Sequence, residues 1–314
     1  MRARSSLALV ATSGFLLWGS LVEAVTSDSI SVGSPNEGTL IHGVPLAESG
    51  QGFARNPRSP NLEARYGTTE LITEITQAAA RVQSAFPASE LVINDISLPK
   101  GGPISHHGSH QSGRDADVLF YLRNRQGDPM PPKGVPLDGK GHGWDFKDLA
   151  DPGDDVFVTI DAPRTWALIQ ALVEHPDSSL QRVFIVEHLR TLLLNEARRA
   201  HAPRRLIMRA GHLMCQPHVA HDDHFHFRFF CAPDDIRSGC QDVRPIYPWR
   251  QSQLDTVGVK PVLARPSRRR VSGSTVSRKE ARKNAGPMHK KVLTFLGLQD
   301  AWSVQPHPGR RWCP

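Results

Sequence analysis

The stretch that decides the fold covers residues 221–230 and reads HDDHFHFRFF. From His224 onward polar and aromatic residues alternate strictly, which predicts a β-strand over 224–230. Residues two apart in a strand point to the same side, so His224, His226 and Arg228 share one face and the phenylalanines anchor the other face in the core. A plain solvent-exposed face more often carries Lys, Glu or Thr than paired histidines. The polar face therefore indicates a metal site or a catalytic site.

A second cluster of His and Asp residues covers 105–122, with the sequence SHHGSHQSGRDADVLFYL. A glycine-containing turn leads into a predicted strand on which Asp115 and Asp117 share one face. His110 stands seven residues before Asp117 and can fold back to meet that carboxylate. One carboxylate and imidazoles from separate segments suit zinc, and three such ligands leave a fourth position for water, whose pKa the metal lowers to about 7.

The pairing of SHQSGRDADV with HDDHFHFR resembles the motifs of the penicillin-insensitive murein endopeptidases, which are related to lysostaphin-type and D-Ala-D-Ala metallopeptidases. The shared pattern is His, then Asp seven residues on, and much later His-x-His. The resemblance runs from about residue 34 to about residue 245. It implies that His110, Asp117 and His226 bind Zn²⁺ and that His224 is the catalytic histidine that does not bind the metal.

The resemblance also implies the reaction. A zinc-activated water would hydrolyse D-alanyl–meso-diaminopimelyl peptide crosslinks in peptidoglycan, and no penicillin-sensitive serine would be needed. The HExxH motif of thermolysin-like enzymes is absent from the chain. Two alternatives stay open: a D,D-carboxypeptidase that trims peptidoglycan stems, and a non-catalytic envelope-binding protein with a structural metal.

Further polar residues around the two motifs are assigned with less support. His107 is counted with the metal-binding residues and His221 with the catalytic ones, because each stands three positions before a motif histidine; an ordinary loop histidine is the alternative for both. The family suggests a second metal site, for which His107 with Asp145 and Asp148 are the candidates. The remaining expectations are a loop-holding or substrate-carboxylate role for Asp222, Asp223 and Arg228, a surface or packing role for His212 and His218, and a core role for Trp166 and Phe184.

The chain of 314 residues divides into three parts by composition. Residues 1–24 have a basic start, an apolar run and a small-residue ending near Ala24, which predicts a signal peptide; a membrane anchor is the alternative. Residues 25–261 are long enough for one well-buried domain. Residues 262–314 are expected to form a flexible basic tail outside the resemblance.

The basic charge is concentrated in that tail. The segment 265–291 holds ten Lys or Arg residues and one acid, Glu280. Because the whole chain carries +7, the rest of it is slightly acidic. The tail is therefore expected to bind envelope polyanions or to be a solvated arm without a partner, and no nucleic-acid partner is expected.

The cysteines and the signal peptide predict an exported protein of the periplasm, with peptidoglycan as its partner. Four cysteines fit an oxidising compartment, and Cys231 and Cys240 are spaced for a local disulfide. Pairing of Cys215 with Cys313 stays open, and a Cys-ligated zinc site is disfavoured because CxxC is absent. No membrane-spanning segment is expected after signal cleavage, and a homodimer stays open.

The order of elements predicts an α+β fold with a central, mainly antiparallel sheet flanked by helices and many loops. A helix is expected from Thr68 or Thr69 to just before Pro87, and a second helix begins at Pro163. Loops are expected over 26–66, with at most one short strand, and over 123–155. Strands are expected at 91–98, 116–122, 156–160, 182–186, 205–208 and 224–230.

Overall fold

The computed structural model describes residues 29–217, 219, 221–265, 277–304 and 313. The predicted signal peptide and His218 lie outside the described residues, as does part of the predicted tail. The helices are α1 (Thr69–Ala85), α2 (Ala162–Val173), α3 (Glu187–Arg199), α4 (Arg204–Leu213), α5 (Pro233–Arg237), α6 (Pro248–Thr256), α7 (Arg278–Asn284) and α8 (Lys290–Val304). The first strands are β1 (Ile30–Ser34), β2 (Glu37–Ile41), β3 (Val44–Pro45), β4 (Ser49–Gly50), β5 (Phe53–Arg55), β6 (Tyr66–Gly67) and β7 (Leu91–Ile93). The later strands are β8 (Asp115–Leu119), β9 (Leu122–Arg123), β10 (Pro129–Met130), β11 (His142–Trp144), β12 (Phe157–Ile160), β13 (Leu180–Phe184), β14 (Met214–Cys215) and β15 (His224–Phe229).

A seven-stranded sheet with the order β14-β13-β15-β8-β7-β5-β4 forms the centre of the molecule. Its pairs are antiparallel except for β13 with β14 and β5 with β7, which are parallel. Buried residues of α1 to α4 and of this sheet belong to one hydrophobic core. The α+β prediction with a mainly antiparallel sheet is confirmed, while the domain boundaries stay a prediction.

Strand β15 forms as its alternation predicts and is an interior strand of this sheet, between β13 and β8. Phe225, Phe227 and Phe229 are at most 1% exposed, and burial of each such ring stabilises the fold by roughly 2–3 kcal/mol. Strand β8 pairs with β15 in a register that sets His226 opposite Asp117. The two sequence clusters therefore meet on one face of neighbouring strands.

The two predicted helices are confirmed, and each has a side-chain cap. The Thr68 hydroxyl accepts a hydrogen bond from the Leu71 amide at the start of α1. The Asp161 carboxylate accepts one from the Arg164 amide at the start of α2. These caps satisfy backbone donors that have no partner inside the helix.

Several sequence expectations about local structure are wrong. Residues 205–208 form part of helix α4 instead of a strand, because Leu206, Ala210 and Leu213 bury one helical face. The predicted loop over 26–66 contains strands β1 to β6, each too short to show a periodic pattern, and the predicted loop over 123–155 contains β10 and β11. The strand predicted at 91–98 ends at Ile93.

The described part of the C-terminal segment contains two helices, and the flexible tail expected over 262–314 stays a prediction. Helices α7 and α8 form over residues 278–304. Val292 and Phe295 of α8 are 4% and 9% exposed, and Trp302 packs against the main hydrophobic core. Val292, Phe295 and Trp302 recur at helical spacing and follow directly after the basic run of 265–291.

Both disulfides considered from the sequence are present. Cys231 pairs with Cys240, and Cys215 pairs with Cys313. Among the described residues, no helix combines the length and the apolarity that crossing a bilayer requires.

Candidate metal centre

His110 stands at the end of the loop that leads into β8, and its ring is fixed from behind. Its backbone is in the left-handed region, with φ of 64°, which is uncommon outside glycine and clusters at functional sites. The backbone amide donates to Asp115 Oδ2 at 3.2 Å, and ring Nδ1 donates to the Ile96 carbonyl at 2.7 Å. The Nε2 lone pair therefore faces Asp117, whose Oδ1 lies 3.3 Å away.

Strand β15 brings two more imidazoles to the same carboxylate oxygen. His226 Nδ1 lies 3.3 Å from Asp117 Oδ1, and His224 Nε2 lies 3.6 Å from it. The other nitrogen of His226, Nε2, lies 3.4 Å from Asp115 Oδ2. Arg228 in turn donates two hydrogen bonds to Asp115, at 2.7 and 2.8 Å. His226 is thus held between the two aspartates.

His107 approaches from the loop on the other side of Asp117. Its Nδ1 lies 3.6 Å from Asp117 Oδ2, and its Nε2 lies 2.9 Å from Asp95 Oδ2. Candidate ligand atoms of His107, His110 and Asp117 all lie within 4.8 Å of one another. The structure therefore brings together all four residues predicted to bind metal. His107 lies beside Oδ2 of Asp117, and His226 lies beside Oδ1.

The donor atoms at the centre fit a zinc ion. His110 Nε2 and Asp117 Oδ1 are buried, and neither has a hydrogen-bond partner within the described residues. Leaving buried polar atoms unpaired costs about 1–3 kcal/mol each, and a cation bound where these two atoms meet would satisfy both. Imidazole nitrogens and one carboxylate oxygen are a donor set that zinc accepts.

The charge states of Asp117 and His226 suit metal binding as well. Burial alone would raise the pKa of Asp117, but His110 and His224 outweigh it and hold that pKa well below its usual value. Burial lowers the pKa of His226 to about 4, and the neighbouring His110 adds to this effect while Asp115 opposes it. An ionised carboxylate and a neutral imidazole are the forms that bind a metal.

His224 and Asp223 form a separate pair at the edge of the centre. His224 Nδ1 lies 2.6 Å from Asp223 Oδ1, which leaves Nε2 turned toward Asp117. The His224 side chain is 24% exposed, against 9% for His226 and none for His110. Burial opposes a charge on His224, but Asp223 and Asp117 outweigh it and raise its pKa.

His221 borders the same edge without joining the cluster. Its ring centroid lies 5.0 Å from that of His224, and its Nδ1 donates to the Val219 carbonyl at 2.9 Å. Burial, followed by the neighbouring imidazoles His224 and His226, lowers the pKa of His221 to about 3. A neutral His221 presents one ring nitrogen for hydrogen bonding beside the centre.

Two residues of the site escape the sequence reasoning. Asp95 holds His107 and is itself bound by Ser59 and Asn61; a lone acid within the apolar run LVINDISL is the signal that could have revealed it. Phe184, expected to be a pure core residue, pairs opposite His226 across β13 and β15, and the two ring centroids lie 5.0 Å apart. Trp166 is 2% exposed, as its predicted core role requires.

The two acids predicted to join a second metal site, Asp145 and Asp148, accept hydrogen bonds from groups of the protein. Asp145 accepts hydrogen bonds from Lys133 and from the Val156 amide, each at 2.9 Å. Asp148 caps a turn by accepting from the Ala150 amide at 2.8 Å. His107 instead belongs to the group with His110 and Asp117, so the second site gains no support from these contacts.

A buried His/Asp cluster at the centre of a mixed sheet, with a His–Asp pair at its rim, is the arrangement of a hydrolytic metal site. The sequence comparison agrees with this class. The chain belongs to the penicillin-insensitive murein endopeptidase family, whose sequence model matches residues 31–256.

Curated relatives with that same name align over most of the chain. The protein from Klebsiella pneumoniae is 24% identical over 248 residues, which cover 76% of this chain and 80% of the relative. The protein from Escherichia coli is 23% identical over 249 residues, with 77% and 81% covered. The protein from Pectobacterium atrosepticum is 25% identical over 231 residues, with 73% and 74% covered. Helices α7 and α8 lie beyond the segment that the family matches.

Proposed function

We propose that this protein is a zinc-dependent endopeptidase that hydrolyses D-alanyl–meso-diaminopimelyl crosslinks in peptidoglycan. The observation that carries the proposal is the convergence of His110, His226 and His224 within 3.6 Å of Asp117 Oδ1. These side chains come from two remote segments, and both segments lie within the family match.

His110, Asp117 and His226 are the ligands of this proposal. His110 Nε2 and His226 Nδ1 each lie 3.3 Å from Asp117 Oδ1. The other ring nitrogen of each histidine has a contact of its own: His110 Nδ1 donates to the Ile96 carbonyl, and His226 Nε2 lies 3.4 Å from Asp115 Oδ2. Second contacts of this kind orient a ligand and fix its tautomer. His107 is the alternative nitrogen ligand, because the group whose candidate ligand atoms lie within 4.8 Å of one another consists of His107, His110 and Asp117 and does not include His226. When bound, zinc would polarise the scissile carbonyl and lower the pKa of a water molecule.

His224 is the proton carrier of the proposal. Asp223 accepts a hydrogen bond from His224 Nδ1, and this contact orients the ring so that Nε2 faces Asp117 and the space proposed for substrate. Hydrolysis adds a water oxygen to the carbonyl carbon and breaks the C–N bond of the crosslink. His224, whose charged form Asp223 and Asp117 favour, would stabilise the developing charge or pass its proton to the departing amine, and the proton that the attacking water loses would then restore it. His221 would hydrogen-bond the peptide at the rim.

The cellular compartment of the proposal is inferred from the peptidoglycan substrate and from the two disulfide bonds. Two disulfides fit an oxidising environment, and murein lies outside the inner membrane. The proposal therefore places the mature protein in the periplasm, after cleavage of a signal peptide near Ala24. Binding of envelope polyanions by the basic residues of 265–291 is a further part of this proposal.

Digestion of a purified crosslinked muropeptide dimer tests the function. The wild type should convert dimers to monomers, whereas a D,D-carboxypeptidase would leave dimers crosslinked and shorten stems. His224→Ala should lose about 10²–10⁴-fold in kcat because proton transfer is removed, while zinc content stays unchanged. The exposed His212 gives a matched control, since His212→Ala should keep full turnover. Wild-type turnover in His224→Ala would remove that histidine from the mechanism.

A further inference from the structure

Helix α8 lies outside the family match but is fixed to the domain at its N-terminal end. The His289 amide donates to the Leu149 carbonyl at 2.8 Å. Lys291 Nζ lies 3.5 Å from Asp155 Oδ2 and 3.9 Å from the centroid of the Trp144 ring. These contacts hold the start of the helix against the loop that follows β11.

The C-terminal end of α8 is fixed to the segment that leads into the catalytic strand. The Trp302 ring lies 4.3 Å from the ring of His188, and the Trp302 carbonyl accepts a hydrogen bond from Gln216 Nε2 at 2.9 Å. Beyond the helix, the Cys313 amide donates to the Gln216 carbonyl at 2.9 Å, and Cys313 is disulfide-bonded to Cys215. The helix is therefore held at its start by the loop after β11 and at its end beside Cys215 and Gln216.

Between these two anchors, α8 contacts the residue next to the His224–Asp223 pair. Gln299 Nε2 donates to Asp222 Oδ2 at 2.8 Å. Asp222 is 3% exposed, and its carbonyl accepts a hydrogen bond from the Leu137 amide at 2.9 Å. Burial, followed by the charge of Asp223, raises the pKa of Asp222 to about 6. A buried carboxylate beside a second carboxylate is costly, and a neutral amide donor stabilises it without adding charge.

We propose that Gln299 is a positioning residue for the peptidase reaction: by binding Asp222 it holds the turn that keeps Asp223 on His224. This inference rests on the proposed function. Without the Gln299 amide, the buried Asp222 carboxylate would lose its hydrogen-bond donor. The repulsion between Asp222 and Asp223 would then no longer be offset. The turn would then rearrange, and the hydrogen bond that orients the His224 ring would lose its alignment.

The test compares two variants of Gln299 with a neighbour on the same helix, all in the full-length, zinc-loaded protein. Gln299→Ala removes the donor, and Gln299→Glu keeps the shape while placing a third carboxylate at Asp222. Leu298, which is 41% exposed, provides the control Leu298→Ala. Cleavage of the muropeptide dimer gives kcat and KM, and hydrogen exchange reports the protection of amides over 219–224.

Both Gln299 variants should lower kcat about tenfold or more, with KM and zinc content near those of the wild type, because a hydrogen bond to a charged group is lost. Exchange over 219–224 should become faster in both, and Leu298→Ala should match the wild type in every readout. Wild-type kcat with wild-type exchange in Gln299→Glu would overturn the inference. If the wild type fails to cleave dimers, the proposed function fails. In that case hydrogen exchange over 219–224 still tests Gln299, and wild-type exchange in both Gln299 variants would overturn its role.

Discussion

Asp117 is the residue on which the site depends, and its backbone is fixed on the side away from β15. Its amide donates to the Asp95 carbonyl at 2.8 Å, and its carbonyl accepts from the Asn94 amide at 2.8 Å. The side chain is thereby presented to His226 across the strand pair. Three imidazoles surround one oxygen, which makes the centre a place where a cation is stabilised by both geometry and charge.

The support that the single residue Asp115 gives to His226 can be tested by substitution. Asp115 faces His226 Nε2 and accepts hydrogen bonds from Nε and Nη2 of Arg228. Burial opposes its charge, but Arg228 and His226 outweigh burial and hold the pKa of Asp115 well below its usual value. Asp115→Asn should therefore weaken zinc affinity about 10–100-fold, because the carboxylate that orients and polarises His226 is lost.

Chelator competition on the folded protein measures that affinity, and circular dichroism checks that the variant is folded. Asp234, whose side chain is 90% exposed, supplies the control Asp234→Asn. An unchanged zinc affinity in folded Asp115→Asn would mean that Asp115 only balances the charge of Arg228.

The residues that meet in the cluster were predictable from sequence, while their supports were not. Two short motifs contain His110, Asp117 and His226, and the family resemblance names these three as the expected ligands. Asp95 and Phe184 join the site only through loop closure and strand register, which set which residues stand opposite one another. Such pairings depend on the whole sheet and leave no local pattern.

Strand β15 shows which elements a sequence specifies well. Its side chains alternate without a break, so a slip of one residue would turn the phenylalanines to the polar face and the histidines into the core. Helix α4 shows the opposite case. Four residues of mixed character at 205–208 fit a strand or a helix equally, and only the packing of Leu206, Ala210 and Leu213 decides between them.

Helix α1 carries a buried acid whose effect on stability depends on pH. Glu74 accepts hydrogen bonds from the Ser179 amide and hydroxyl, yet burial raises its pKa from 4.5 to about 8. Between these values the folded protein keeps a proton that the unfolded chain releases. The free energy of unfolding therefore falls as the pH rises through this window.

Glu74→Gln should remove this dependence, because the amide keeps the acceptor for Ser179 and does not titrate. Between pH 5 and pH 8 the wild type should lose about 2 kcal/mol or more relative to the variant. Urea unfolding at both values measures the difference, and Glu90→Gln at an exposed position is the control. Parallel pH profiles for the wild type and Glu74→Gln would show that Glu74 does not titrate in this range.

At the scale of the molecule, the described part of the C-terminal segment contains helices α7 and α8, and α8 packs on the domain. Composition suggested a solvated arm, because ten basic residues over 265–291 dominate the pattern. The apolar residues that dock α8 come just after this run and are few, so average composition concealed them. The disulfide of Cys215 with Cys313 then joins the chain end to the strand beside the site.

The two disulfides should differ in their effect on stability. The pair Cys215–Cys313 spans 98 residues and the pair Cys231–Cys240 spans 9. Chain entropy predicts a loss of about 4–5 kcal/mol for replacing the first pair by serines and about 2–3 kcal/mol for the second. Guanidinium unfolding measures both double variants. A smaller loss for the longer loop would mean that α8 stays docked without its covalent link or contributes little to stability.

The most direct test of the central claim is to measure zinc content and muropeptide cleavage together in the wild type and in His110→Ala, with His212→Ala as the control. The wild type and the control should each hold about one zinc ion per chain and convert crosslinked dimers to monomers. Folded His110→Ala should lose both the bound zinc and the cleavage, because the fully buried nitrogen facing Asp117 is gone. A folded His110→Ala that keeps its zinc and still cleaves dimers would contradict the account.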